Sequence, residues 1–157
     1  MKQDRFLTGI LVGIGVLVVV ALAVFFTRKD SQIYVADDTP EGVVHNYVLA
    51  VLNKDYEKAY GYLAELKYKP TYEEFRRAFL NGEVNPQNQA VDIGASDIAG
   101  DTATVELQLI TNSSDPFSTG YRNQQTADLV KQEGAWKLTL MPQYNFWGYN
   151  WYVEPPK

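Results

Sequence analysis

The chain carries one histidine, His45, and no cysteine. Those two counts limit most of the chemistry open to it. As a general base, His45 would need an orienting carboxylate such as Asp128 within hydrogen-bond reach. It follows Val44 and precedes Asn46, off the centre of an apolar stripe, where a histidine at the solvent edge of a helix is the plainer reading. Metal binding is not expected: with no thiols, one imidazole and no spaced carboxylate cluster, no ligand set forms. No G-x-S-x-G elbow, Gly-rich phosphate loop or paired-His helix occurs, and no cofactor is implied. The densest chemical feature is aromatic. Tyr144, Phe146, Trp147, Tyr149, Trp151 and Tyr152 crowd into the stretch after Pro142. Tyr, Trp and Phe there either fold back to complete a core or present a platform to a partner protein, a glycan or the membrane interface. Each ring has an apolar body, and Tyr and Trp add a polar edge. On the second reading the binding residues are Tyr144, Trp147, Tyr149, Trp151 and Tyr152.

The elements that would position these residues begin with an anchor. Residues 6–26 form an apolar run with no charged side chain, long enough as a helix to cross the ~30 Å hydrocarbon core of a bilayer. Ala21-Leu22-Ala23 offers a signal-peptidase form, but the run continues to Phe26 and exceeds the ~7–15 residues of a usual signal core. An uncleaved single span at 6–27 is expected, after a five-residue tail. Lys2 and Arg5 precede the span and Arg28 and Lys29 follow it, so the basic bias that sets orientation is nearly balanced. The free α-amino group tips it toward an extracytoplasmic domain. Gly9 and Gly13 form one G-x-x-x-G, a weak sign of homodimerisation.

The chain has 157 residues and a net charge of −5. Its first 29 residues hold four basic side chains and one acidic. That leaves 10 basic and 18 acidic beyond them, a net of −8. Such a surface repels polyanions, so nucleic acid is excluded as a partner. Asn112-Ser113-Ser114 fits a glycosylation sequon, a pattern short enough to recur by chance.

Residues 28–38 read as a tether. Thr39-Pro40-Glu41 then starts a helix with a hydroxyl cap, a proline at the first position and an acid in the first turn. Val43, Val44, Tyr47, Val48, Val51 and Leu52 form its apolar face. Asp55 caps a second helix that buries Tyr56, Ala59, Tyr60 and Leu63. Thr71 and Glu74 have capping-box spacing and open a third, with Tyr72, Phe75 and Phe79 inward. After Pro86 the period becomes two. Val91, Ile93 and Ala95 alternate with polar residues, as do Ala103, Val105, Leu107 and Leu109. A polar third strand over 121–131 contains Ala127 and Leu129, and Trp136, Leu138 and Leu140 mark a fourth. This predicts an α+β domain, three helices on one face of an antiparallel sheet, over residues 39–142, with an aromatic segment at 143–157.

Helices and then a four-stranded meander, with Thr39-Pro40-Glu41-Gly42-Val43-Val44, Asp55-Tyr56-Glu57-Lys58-Ala59-Tyr60 and Gly134-Ala135-Trp136-Lys137-Leu138, resembles the NTF2-like superfamily. The likeness is to its small domains that follow a bacterial signal or anchor. The resemblance implies a cone whose pocket lies between the curved sheet and the helices. Pocket chemistry in that group uses an Asp, a Tyr or a His-Asp pair, for which Asp128, Tyr47, Tyr60 and His45 are the nearest residues. Strand alternation turns Asp128 outward if Ala127 and Leu129 face in. The expectation is therefore a membrane-anchored, non-catalytic binding or interaction module of the cell envelope, whose partner is an envelope protein, a glycan or a small apolar ligand. The alternative is a small-molecule isomerase, dehydratase or hydrolase.

Overall fold

The computed structural model describes residues 5–27, 33–87, 89–111 and 120–154. It has two compact units, residues 1–33 and 34–157. The first holds helix α1, Arg5–Thr27, 23 residues without a break. Its side chains are described over residues 9–22, all exposed. Among the described residues no helix is long and apolar enough to cross a membrane. The stretch whose side chains are described, residues 9–22, is shorter than the ~20 residues a span requires. Structurally, the expected span is thus a continuous helix and no more. Arg28-Lys29, the sequon at Asn112 and Pro155-Pro156 lie outside the described residues.

The second unit is α+β, as the pattern predicts. Helices α2 (Pro40–Leu52), α3 (Tyr56–Gly61) and α4 (Tyr72–Leu80) precede strands β1 (Gln89–Ala99), β2 (Thr102–Thr111), β3 (Tyr121–Gln132) and β4 (Ala135–Leu140). The strands pair in sequence order, each antiparallel to the next. Local chemistry sets the helix starts. The Thr39 hydroxyl accepts from Gly42 N at 3.1 Å and the Asp55 carboxylate from Lys58 N at 3.2 Å. Thr71 and Glu74 close a reciprocal capping box. Each interaction satisfies an N–H that the first helical turn leaves unbonded.

Ala103, Val105, Leu107, Leu109, Ala127, Leu129, Trp136 and Leu138 point from the sheet into one core with Val43, Val44, Tyr47, Phe75 and Phe79. The β4 edge is covered: Ala64 N donates to Leu138 O and Leu138 N to Tyr62 O, both at 2.8 Å. On the first two helices the predicted faces need correction. Leu52 is 38% exposed, whereas Leu49, Ala50 and Asn46 are buried. The reason is that α2 is covered on nearly all sides, since residues 34–36 pack along it. Gly42 permits this, because a Cβ there would overlap the Ala36 carbonyl oxygen. In α3 only Ala59 is fully buried, Tyr56 and Tyr60 being half-buried at the core margin.

A second correction falls in β1. Ala95 is exposed and Ser96 half-buried, the reverse of a simple alternation. The register with β2 slips between Ile93 and Ser96, a β-bulge that inserts a residue and moves later side chains to the other face. Ser96 N then donates to the Glu41 carboxylate at 3.0 Å, so the bulge is tied to the first turn of α2.

Candidate functional site

The residues that could do acid–base chemistry do not converge. Asp128 stands on β3 between the buried Ala127 and Leu129, so its carboxylate leaves on the outer face. There it accepts from the Thr104 hydroxyl of the facing β2 position at 3.0 Å. Tyr60 lies on the helix side of the sheet, where its hydroxyl donates to Pro70 O at 2.9 Å. Partial burial, then the Glu65 and Glu74 carboxylates, push its phenol pKa up. His45 is half-buried on α2. Tyr47 is fully buried, and its hydroxyl donates to Phe146 O at 2.6 Å. Burial pushes that phenol well above its usual range, which keeps it a neutral hydrogen-bond donor. No buried side-chain nitrogen or oxygen among the described residues lacks a partner, and no cluster of three or more His, Asp and Glu suited to a metal occurs among them.

The aromatic segment divides into a core part and a surface part. Phe146 and Trp147 are essentially inaccessible and Trp151 is 8% exposed. Trp151 stacks on Phe75 at 4.7 Å and meets Trp147 edge-on at 5.0 Å. These two tryptophans, binding residues on the platform reading, are core side chains, as the fold-back reading has them. Gly148 allows that packing, since a Cβ at this position would run into the Trp151 indole. Tyr152 is half-buried, stacks on Trp147 at 5.8 Å, and donates its hydroxyl to Ala64 O. Burial raises its phenol pKa, with Glu65 adding to the rise.

Tyr144 and Tyr149 remain outside. Each is 59% exposed, and their rings lie nearly parallel, 6.0 Å apart at 11°. Tyr144 has φ 66°, a left-handed backbone that a large side chain rarely adopts. Backbone bonds hold it there: Tyr144 N donates to Trp147 O at 2.9 Å, and Asn85 N donates to Tyr144 O at 2.7 Å. The two rings wall a cavity of about 880 Å³. Its other side is built from the loop before α4, with Lys67 and Tyr68, and from α4 itself, with Glu74 and Arg77; Glu83, Asn150 and Glu154 complete the rim. Sequence reasoning named Tyr144 and Tyr149 but missed Lys67, Arg77 and Glu83. Their only signal was charge in loops and on a helix surface, which any solvated face shares.

No protein-family model matches the chain, and no curated protein matches it. Similar solved structures include a SEC-C motif containing protein from Rhodopseudomonas palustris, 13% identical with a TM-score of 0.49. That likeness covers 68% of this chain and 79% of the other. Another is a candidate NTF2-like transpeptidase from Campylobacter jejuni, 14% identical with a TM-score of 0.44, over 66% and 99% of the two chains. A third is an uncharacterized cystatin fold protein from Novosphingobium aromaticivorans, 8% identical with a TM-score of 0.43, over 68% and 100%. At these identities and scores, the activity named for any of them stays with that protein.

Proposed function

We propose that this protein is a membrane-held, non-catalytic binding module of the cell envelope, an NTF2-like domain that takes its ligand at the cavity walled by Tyr144 and Tyr149. The observation that carries the reading is that none of the acid–base candidates Asp128, His45 and Tyr60 lines the cavity. An enzyme pocket needs converging polar groups in a cavity. Here Asp128 and Tyr60 stand on opposite sides of the sheet, each already hydrogen-bonded. The layer between helices and sheet is filled by Tyr47, Phe75, Leu129, Leu138 and Trp147. Open volume lies instead beside two exposed tyrosines.

The membrane part rests on α1. Its described residues expose Ile10, Leu11, Val12, Ile14 and on through Leu22, and the apolar run extends to Phe26 without a charge. An apolar helix with no polar face belongs in a hydrophobic surround, and so much contiguous apolar surface is unusual in water.

Two measurements on the full chain in its own cells test the reading. Alkali-resistant sedimentation with membranes, and digestion of residues 34–154 by protease added to spheroplasts, support the anchor and its orientation. Recovery of the full chain in the cytosol overturns both. For the binding face, a benzophenone side chain is placed at position 149 or at 128. Adducts from 149 and none from 128 are expected. Adducts from 128 alone, or equal labelling at both, remove the binding assignment.

A further inference from the structure

We propose that the cavity beside Tyr144 and Tyr149 binds a neutral saccharide, an inference that rests on the binding-module reading above. Four features of the site bear on ligand chemistry. The first is the pair of exposed, nearly parallel tyrosine rings. They offer flat apolar faces edged by hydroxyls, and a pyranose presents a flat C–H face edged by hydroxyls of its own.

The second is charge. Lys67, Lys69 and Arg77 line the cavity with Glu74, Glu83 and Glu154, three of each sign. A polyanion or a polycation would meet as much repulsion as attraction there. Lys69 is held by Glu65 and Glu74 by its capping box with Thr71, so a neutral ligand whose hydroxyls both donate and accept can use Lys67, Arg77, Glu83 and Glu154. Third, Trp151 lines the same cavity. It adds an indole to the aromatic lining beside the two tyrosines. The volume, about 880 Å³, falls within the ~300–1,000 Å³ of small-molecule sites.

The fourth feature is the backbone at Tyr144. At φ 66° a glycine would sit without the steric cost a side chain brings. Among the described residues the exposed ring's aromatic contact is Tyr149 alone, so a ligand-binding role accounts for a tyrosine at this position better than stability does. A proline-rich peptide is the rival occupant of an aromatic groove. Such peptides dock their prolines on aromatic-lined walls, whereas here charged side chains (Lys67, Arg77, Glu83 and Glu154) interrupt the aromatics Tyr68, Tyr144, Tyr149 and Trp151. Charged groups suit hydroxyls better than prolines.

The test uses the full chain in phosphatidylcholine nanodiscs and isothermal titration with cellohexaose, chitohexaose and maltohexaose. Oligogalacturonate and decaproline serve as the anionic and peptide comparators. Saturable binding of at least one neutral hexasaccharide is expected, with none of oligogalacturonate. Tyr149→Ala should weaken it about tenfold or more, as loss of a central aromatic anchor does, and Tyr149→Phe should stay within about twofold. Tyr144→Gly, which suits the left-handed backbone, should weaken binding without lowering the melting temperature. Failure of all three hexasaccharides to bind, or binding that Tyr149→Ala leaves unchanged, overturns the proposal. If decaproline binds and Tyr149→Ala abolishes it, the saccharide is wrong and the binding-module reading stands. If no probe binds and position 149 gives no cellular adducts, both fall.

Discussion

Asn46 holds Val35 by both of its backbone groups. The Asn46 carboxamide accepts from Val35 N at 2.9 Å and donates to Val35 O at 2.8 Å. The pair imitates one rung of a β-ladder, made by a side chain that is 2% exposed. Beside it, the Lys58 ammonium lies 3.2 Å from the centre of the Tyr34 ring. Residues 34–36 are therefore part of the folded unit, which begins before the expected boundary at residue 39.

Replacing Asn46 by leucine should remove both bonds and leave the Val35 N–H and C=O without partners. Val35 is 48% exposed, so water can take up part of that bonding; the loss should be about 0.5–1.5 kcal/mol per bond, a fall of a few degrees in melting temperature. Asn46→Asp keeps the shape but loses the donor and buries a charge, and should be worse. Thermal unfolding followed by near-ultraviolet circular dichroism checks both. Two variants melting like the parent would show that the rung is not structural.

Gly42 and Gly61 make a matched pair for a second prediction. Both are helical, but a Cβ at Gly42 overlaps Ala36 O, whereas at Gly61 it meets nothing within 4 Å. Gly42→Ala should displace residues 34–36 and destabilise by about 1–3 kcal/mol, the usual cost of forced overpacking. Gly61→Ala should be neutral, or stabilise by up to about 1 kcal/mol by restricting the unfolded chain. Urea titrations of the two variants should move the midpoint in opposite directions, or only the first.

The order of the aromatic segment can be read from one large and one small change. Trp147→Ala opens a cavity where the side chain is 1% exposed and should cost about 3–5 kcal/mol. Tyr47→Phe keeps the ring and deprives Phe146 O of its donor, for about 1–3 kcal/mol. Tyr144→Gly on the surface should leave stability near that of the parent. Equal melting temperatures for the parent and Trp147→Ala would contradict the packing.

Acid stability should depend on Glu41. Its carboxyl is held below the ordinary value of 4.5, mainly by the hydrogen bond from Ser96 and against a smaller opposing effect of burial. A lowered folded pKa contributes stability that is present above the unfolded value and is lost as pH falls through the folded one. The parent should therefore be more stable than Glu41→Gln above about pH 5, and the difference should shrink as pH drops below 4.5. Unfolding free energies measured across that window decide it. A constant difference at all pH values would show that the hydrogen bonds from the Ser96 hydroxyl and N–H do not depend on the charge.

Much of the fold was legible because its determinants are local. Thr39, Asp55 and Thr71 cap helices through groups three residues away, and Val105, Leu107 and Leu109 declare a buried face by alternation alone. What escaped was set by distant partners. Nothing around Gly94-Ala95 announces a bulge whose anchor, Glu41, lies more than fifty residues earlier. Asn46 in an apolar helix reads as a surface residue until Val35 is known to lie against it. Leu52 fits the helical stripe but falls past the end of what the sheet covers. The aromatic crowding after Pro142 was visible, but which rings face inward depends on the groove beside Phe75 that receives Trp151. The cavity joins residues near 68, near 77 and near 149, and no single stretch of sequence carries that combination.

The bond from Tyr47 to Phe146 spans 99 positions, and this has a consequence for a chain made from its amino end. When β4 has left the ribosome, all helices and strands have been synthesised, yet the core still lacks Phe146, Trp147 and Trp151. Until those residues arrive, Tyr47 has no acceptor and Phe75 no indole to stack on. Non-local closure of this kind delays folding. A nascent domain that cannot finish its core early stays open until its last residues are made, so the order of synthesis itself postpones the sealing of the fold.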